Sequence, residues 1–142
     1  MNKTAKFVVL LSCLSLIVCF QTLLADEAAE KAAQAAAEKW LGLVDQGQYA
    51  ESWGTAASYF KNAVPEMQWV QSMKGARQPL GKMISRRLKS ATFTTSLPGA
   101  PDGQYVVIQY ATSFENKASA VETVTPMRGA DKKWRVSGYF IK

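Results

Sequence analysis

The sequence predicts an α+β domain, three helices packed on a curved four-stranded antiparallel sheet, and three observations lead there. Apolar residues recur at helical spacing from Asp26 to Ala76, and from Met83 to Ile141 they alternate with a period of two. Between the two regimes lies the punctuation Gly75-Ala76-Arg77-Gln78-Pro79-Leu80-Gly81. Helices that all precede the strands belong on one face of the sheet.

Asp26 to Gln46 reads as the first helix of the domain. Ala29, Ala33, Ala36, Trp40 and Leu43 form its apolar stripe, Asp26, Glu27 and Glu30 suit its positive N-terminal end, and Gly47 suits the position just past its end. Its alanines predict close packing. Tyr49, Trp53, Ala56 and Phe60 give a second short helix, broken near Asn62, and Pro65 opens a third whose stripe is Trp69, Met73 and Ala76.

Met83 to Thr95 is the first strand, with Ile84, Arg86 and Leu88 on one face. The apolar phase then slips to Ala91 and Phe93, which predicts a bulge near Lys89-Ser90. After the turn signal Leu97 to Gly103, Gln104 to Glu115 places Val106, Ile108, Tyr110, Thr112 and Phe114 in phase. Ser119 to Arg128 and Lys133 to Ile141 complete a meander, the last strand setting Trp134, Val136, Gly138 and Phe140 against Arg135, Ser137, Tyr139 and Ile141.

Residues 1–25 have the layout of a secretory signal peptide: Lys3 and Lys6, an apolar run of 14 residues from Phe7 to Phe20, and a small residue, Ala25, at the expected cut. The run is shorter than the ~20 residues of a membrane-spanning helix, so contact with a membrane is expected only if the segment stays uncleaved. Leu10-Leu11-Ser12-Cys13 loosely fits a lipidation box, but the residues after Cys13 are apolar where a tether would be polar. Cleavage leaves a single domain of residues 26–142 in the periplasm or outside the cell. It also removes Cys13 and Cys19, so the mature chain holds neither Cys nor His. A domain without disulfides must then rest on packing, for which Trp40, Trp53, Trp69 and Trp134 supply surface, read here as core spread along the chain.

The whole chain carries +6; without Lys3 and Lys6, 15 basic residues face 11 acidic ones. Six acids lie between Asp26 and Glu51, and six bases without an acid lie between Lys74 and Lys89. The basic stretch reads as a solvated surface facing the acidic helix, with an anion site as the functional alternative. No Phe, Tyr or Trp interleaves those bases, which argues against nucleic acid.

Absence of His and Cys removes Ser-His and Cys-His nucleophiles and zinc ligation, and no calcium-loop spacing occurs. Ser58-Tyr59-Phe60-Lys61 matches S-x-x-K but lacks the companion S-D-N and K-T-G motifs. No catalytic residue, metal or cofactor is therefore assigned. Arg86 and Glu122 draw attention because each shares a strand face with apolar neighbours, and a buried charge needs a partner. They are expected to pair across the sheet with Arg77 nearby. Asp45, at a helix end, is expected on the surface.

At Glu51-Ser52-Trp53, Arg77-Gln78-Pro79-Leu80-Gly81, Leu97-Pro98-Gly99 and Trp134-Arg135-Val136-Ser137-Gly138-Tyr139-Phe140 the chain resembles the exported bacterial family of domain of unknown function 4019. The likeness spans Ala35 to Ile141 and implies a bacterial, exported protein; it brings no activity with it. The order of elements also resembles the cystatin-like or nuclear-transport-factor-2-like roll. That resemblance implies an apolar cavity between sheet and helices, drawing on Trp40, Trp53, Trp69, Ile84, Arg86, Ile108 and Tyr110.

The expectation is a non-catalytic exported binding or interaction domain. Its candidate ligand contacts are Arg77, Arg86, Glu122, Tyr110, Trp53 and Trp69, and its partner is a small ligand, an envelope protein or a second copy. The alternative is a small isomerase or dehydratase with Asp45 or Glu122 as base and Tyr110 as proton donor.

Overall fold

Alanines set how closely the first helix lies on the sheet. In the computed structural model, which describes residues 3–142 with side chains from Leu23 onward, α1 (Lys3–Asp45) buries Ala33, Ala37, Trp40, Leu41 and Val44 against the strands. The expected stripe is rotated slightly, since Ala36 and Leu43 stay half-buried. Most of the expected leader, residues 1–22, lies outside the described side chains.

Four α-helices precede the strands instead of three. The second helix expected from the sequence is split into α2 (Tyr49–Thr55) and α3 (Ser58–Ala63) by extended backbone at Ala56 and Ala57. The break has a physical cause: the Ala57 N–H donates to Val136 O at 2.8 Å, an acceptor on a strand edge that a continuous helix would forgo. Pro65 caps α4 (Glu66–Arg77), whose buried row is Trp69, Met73 and Arg77, while Ala76 is exposed. A 3-10 turn, Gln78–Leu80, leads into the sheet.

The sheet is a meander of β1 (Met83–Thr94), β2 (Tyr105–Phe114), β3 (Lys117–Arg128) and β4 (Trp134–Ile141), antiparallel throughout in the order β1-β2-β3-β4. β2 alternates as expected, burying Val106, Ile108, Tyr110, Thr112 and Phe114. β1 carries the expected bulge at Lys89 and a second at Ile84. Ile84 and Leu88 are 63% and 45% exposed, so they do not seal Arg86 into an apolar wall. On β4 an extra residue at Ser137 inverts the phase: Val136 and Tyr139 both point to the helices, and Phe140, expected beside Val136, is 60% exposed.

Both sheet edges are partly occupied. Glu30 of α1 accepts the Phe93 N–H of β1 at 3.0 Å, and Ala57 covers Val136 of β4. Bulges and the charges Arg87 and Lys89 blunt the remainder of β1 against pairing with another strand.

Candidate functional site

Asp45 is the last residue of α1, beside carbonyls that repel a negative charge, so its carboxylate calls for cations. It finds two. Arg86 of β1 donates from Nη1 to Oδ2 at 2.7 Å and from Nη2 to Oδ1 at 2.9 Å, and Arg77 of α4 donates from Nη2 to Oδ1 at 3.1 Å. The Arg77 guanidinium lies 4.2 Å from the centre of the Phe114 ring and donates from Nη1 to Gly81 O at 2.7 Å. Asp45 is thus not a free surface carboxylate; its side chain is 19% exposed.

Glu122 is fully buried on β3. Its carboxylate accepts from Arg86 Nε at 2.6 Å and Nη2 at 3.1 Å, from Thr112 Oγ1 at 2.5 Å and from Tyr139 OH at 2.6 Å. Register explains the reach: Arg86 stands opposite Thr112, and Glu122 opposite Tyr110, all on the helix-facing side. Two arginines and two carboxylates cancel to zero net charge.

Burial pushes the Asp45 carboxyl up, but hydrogen bonds and charge from Arg86 and Arg77 outweigh it and hold the group below the usual carboxylate range. Burial likewise disfavours charge on Arg86, and the two carboxylates overcome it, so its proton is held more tightly than usual. The Tyr139 phenol is pushed up, first by burial and then by the Glu122 charge. None of these groups is poised to exchange a proton near neutral pH.

An aromatic wall stands beside the cluster. Tyr139 packs against Trp40 and Trp69 with ring centres 5.3 and 6.4 Å away, the two tryptophans are 5.9 Å apart, and Phe60 meets Trp69 edge-on at 5.1 Å. Buried Ser52 joins them: its backbone O accepts from Trp40 Nε1 at 2.8 Å, its Oγ accepts from Trp69 Nε1 at 3.0 Å, and that hydroxyl donates to Tyr49 O at 2.7 Å. The expected apolar cavity is therefore occupied by side chains, with Trp40, Trp69, Ile108 and Tyr110 all buried in the core. The tryptophans, spread along the sequence and expected as core, do serve the core: Trp40 and Trp69 lie in it, and Trp53 and Trp134 pack against it.

Of the six candidate residues, Arg77, Arg86 and Glu122 come together through Asp45. Tyr110 is the cross-strand neighbour of Glu122, yet its buried hydroxyl has no partner among the described residues. Trp69 reaches the cluster through Tyr139. Trp53 does not: its Nε1 donates to Val64 O at 2.7 Å, and Lys61 sits 5.8 Å from its ring centre. Sequence reasoning missed Thr112 and Tyr139 as members and named Asp45 only as an alternative base, not as a partner of the arginines. Only Asp45 left a signal, being an acid at the wrong end of a helix.

The basic stretch also divides. Arg77 and Arg86 reach the acidic helix, whereas Lys74, Lys82, Arg87 and Lys89 form no ion pair among the described residues. Solvent meets Asp45 through a cleft of roughly 310 Å³ shared with Tyr49, Arg77, Lys82 and Glu115. A larger groove of roughly 530 Å³ runs between α3 and the β3-β4 turn, but Lys61 there is held by Gly54 O and Arg135 by Asp131.

An antiparallel meander with its helices on one face and a neutral charge cluster locking α1 to the strands defines an α+β class, and that class fixes no reaction. The family model described as a protein of unknown function, DUF4019, matches residues 36–139, and the chain belongs to that family. The matched span contains Asp45, Arg77, Arg86, Glu122 and Tyr139. Comparison with curated proteins and with solved structures gave no match.

Proposed function

We propose that this is a non-catalytic binding or interaction domain of the exported compartment, which meets its partners on its surface. One observation carries the reading: Trp40, Trp69 and Tyr139 fill the centre of the space between helices and sheet, leaving a groove of roughly 180 Å³ between α1 and β4 at Leu43 and Trp134, and both carboxylates facing that centre are bound to arginines. One-sided covering of a bulged sheet supports the roll of cystatin-like or nuclear-transport-factor-2-like kind, and the layout of residues 1–25 supports export.

The adjacency of Tyr110 and Glu122 favours a second reading, a carboxylate base beside a phenol donor. Against it, Glu122 would have to surrender Arg86, Thr112 and Tyr139 before taking a proton.

Native mass spectrometry of the protein purified from its own envelope fraction tests the proposal. The expected species begins at Asp26, carries no small molecule that stays bound until the domain unfolds, and includes a complex that dissociates without unfolding the domain. A chain beginning at Met1 contradicts cleavage and leaves the segment as a membrane anchor. A stoichiometric small molecule released only on unfolding contradicts the surface reading and restores the second one.

A further inference from the structure

Arg87 stands apart from the other arginines. Of the five in the sequence, Arg77 and Arg86 hold Asp45 and Glu122, Arg135 holds Asp131, and Arg128 donates to Lys132 O and Gln104 Oε1. Arg87 alone has no acceptor among the described residues. It lies on the sheet face opposite Arg86, away from the helices that bury Thr112 and Glu122 among the described residues.

Register builds a site around it. Arg87 is opposite Ala111, Ala111 is opposite Val121, and Val121 exchanges backbone hydrogen bonds of 3.0 Å with Lys142, so one row crosses all four strands. In the adjoining row Ser85 is opposite Ser113, and Ser113 faces both Ala118 and Ser119 across a bulge. The Ile84 bulge lies on its other side. These two irregularities open a hollow of roughly 190 Å³ lined by Arg87, Ser85, Ser113, Ser119 and the methyls of Ala111 and Ala118. No acid lines it. The three serine hydroxyls make no hydrogen bond among the described residues.

We infer that this hollow is a binding site for a phosphate group. A guanidinium fork with three hydroxyl donors on two sides matches a tetrahedral oxyanion better than a planar carboxylate, and the alanine floor lets the group approach the sheet. The inference rests on the surface-binding reading and names one surface and its ligand chemistry; its failure leaves the native-mass result untouched.

The test is an NMR titration of the mature domain with inorganic phosphate against chloride at matched ionic strength. Saturable shifts are expected at the amides of Ser85, Arg87, Ser113 and Ser119, and none at Glu122. Arg87→Gln should weaken binding about tenfold, Ser85→Ala with Ser119→Ala should weaken it at unchanged net charge, and Lys89→Gln, outside the hollow, should have little effect. Vesicles with and without phosphatidylglycerol separate the sources: binding there with the same dependence on Arg87 makes the group a lipid headgroup, and saturation by free phosphate alone makes it a soluble phosphate. Shifts that chloride reproduces, or binding that Arg87→Gln and Lys89→Gln weaken equally, overturn the site.

Discussion

Arg86 on β1 and Glu122 on β3 are joined by two hydrogen bonds, of 2.6 and 3.1 Å, across the intervening strand β2. The same guanidinium grips Asp45 at the end of α1, so one side chain ties two strands to the principal covering helix. Its donors are spent on protein acceptors, which makes the cluster a clamp and leaves little to offer a ligand.

The clamp should give acid sensitivity of a defined sign. Asp45 has a lowered pKa in the folded chain, so its stabilisation is complete above the ordinary carboxylate value and is lost as pH falls toward the folded value. Urea unfolding at about pH 6 and about pH 3 should show a drop that Asp45→Asn reduces. An equal drop in the variant assigns the acid sensitivity to other carboxylates.

Ser52→Ala removes the acceptor of the Trp69 indole and the donor to Tyr49 O in a fully buried place. Loss of about 1–3 kcal/mol is expected, the cost of an unsatisfied buried donor. Chemical denaturation followed by tryptophan fluorescence measures it, and a change within about 0.5 kcal/mol contradicts the role given to Ser52.

Tyr110→Phe should behave oppositely. Burial pushes the Tyr110 phenol up to about 12, and its hydroxyl has no partner among the described residues, so its removal should be neutral or stabilise by about 1 kcal/mol. A destabilised variant shows that the hydroxyl serves a partner, and it strengthens the reading of Tyr110 as a donor.

Gly81 has φ +73°, and a Cβ there would lie 2.7 Å from Glu115 Oε2 and 2.9 Å from Glu115 Cβ. Gly99 has φ +77° with open space around it. Both alanine variants bear positive-φ strain of about 1–3 kcal/mol, and Gly81→Ala should cost more on two counts: its ψ of −159° lies where only Gly is at ease, and the new Cβ displaces Glu115 from the Lys82 N–H. Equal melting temperatures for the two variants contradict the packing argument.

Strand residues were the more legible part of the chain. Glu122 declared its buried face through Ala120 and Val124, and Arg86 through its need for a partner, because a strand period of two leaves few alternatives. Tyr139 was not readable, since the single inserted residue at Ser137 reverses every face beyond it and leaves no pattern of its own. Nor was the gathering of Trp40, Trp69 and Phe60, which depends on how α1, α3 and α4 meet. The split at Ala56 and Ala57 escaped because its cause, an acceptor on Val136, is some 80 residues distant in sequence.

Urea unfolding of Glu122→Gln tests the clamp most directly. Removing one partner of a buried, hydrogen-bonded ion pair leaves the other charge uncompensated, so the size of the loss reports how tightly Glu122 holds Arg86. A clamp predicts a loss of about 3–5 kcal/mol, because Arg86 loses one of its two carboxylate partners and Gln offers a single acceptor oxygen to the donors of Arg86, Thr112 and Tyr139. Unchanged or increased stability in Glu122→Gln contradicts the clamp.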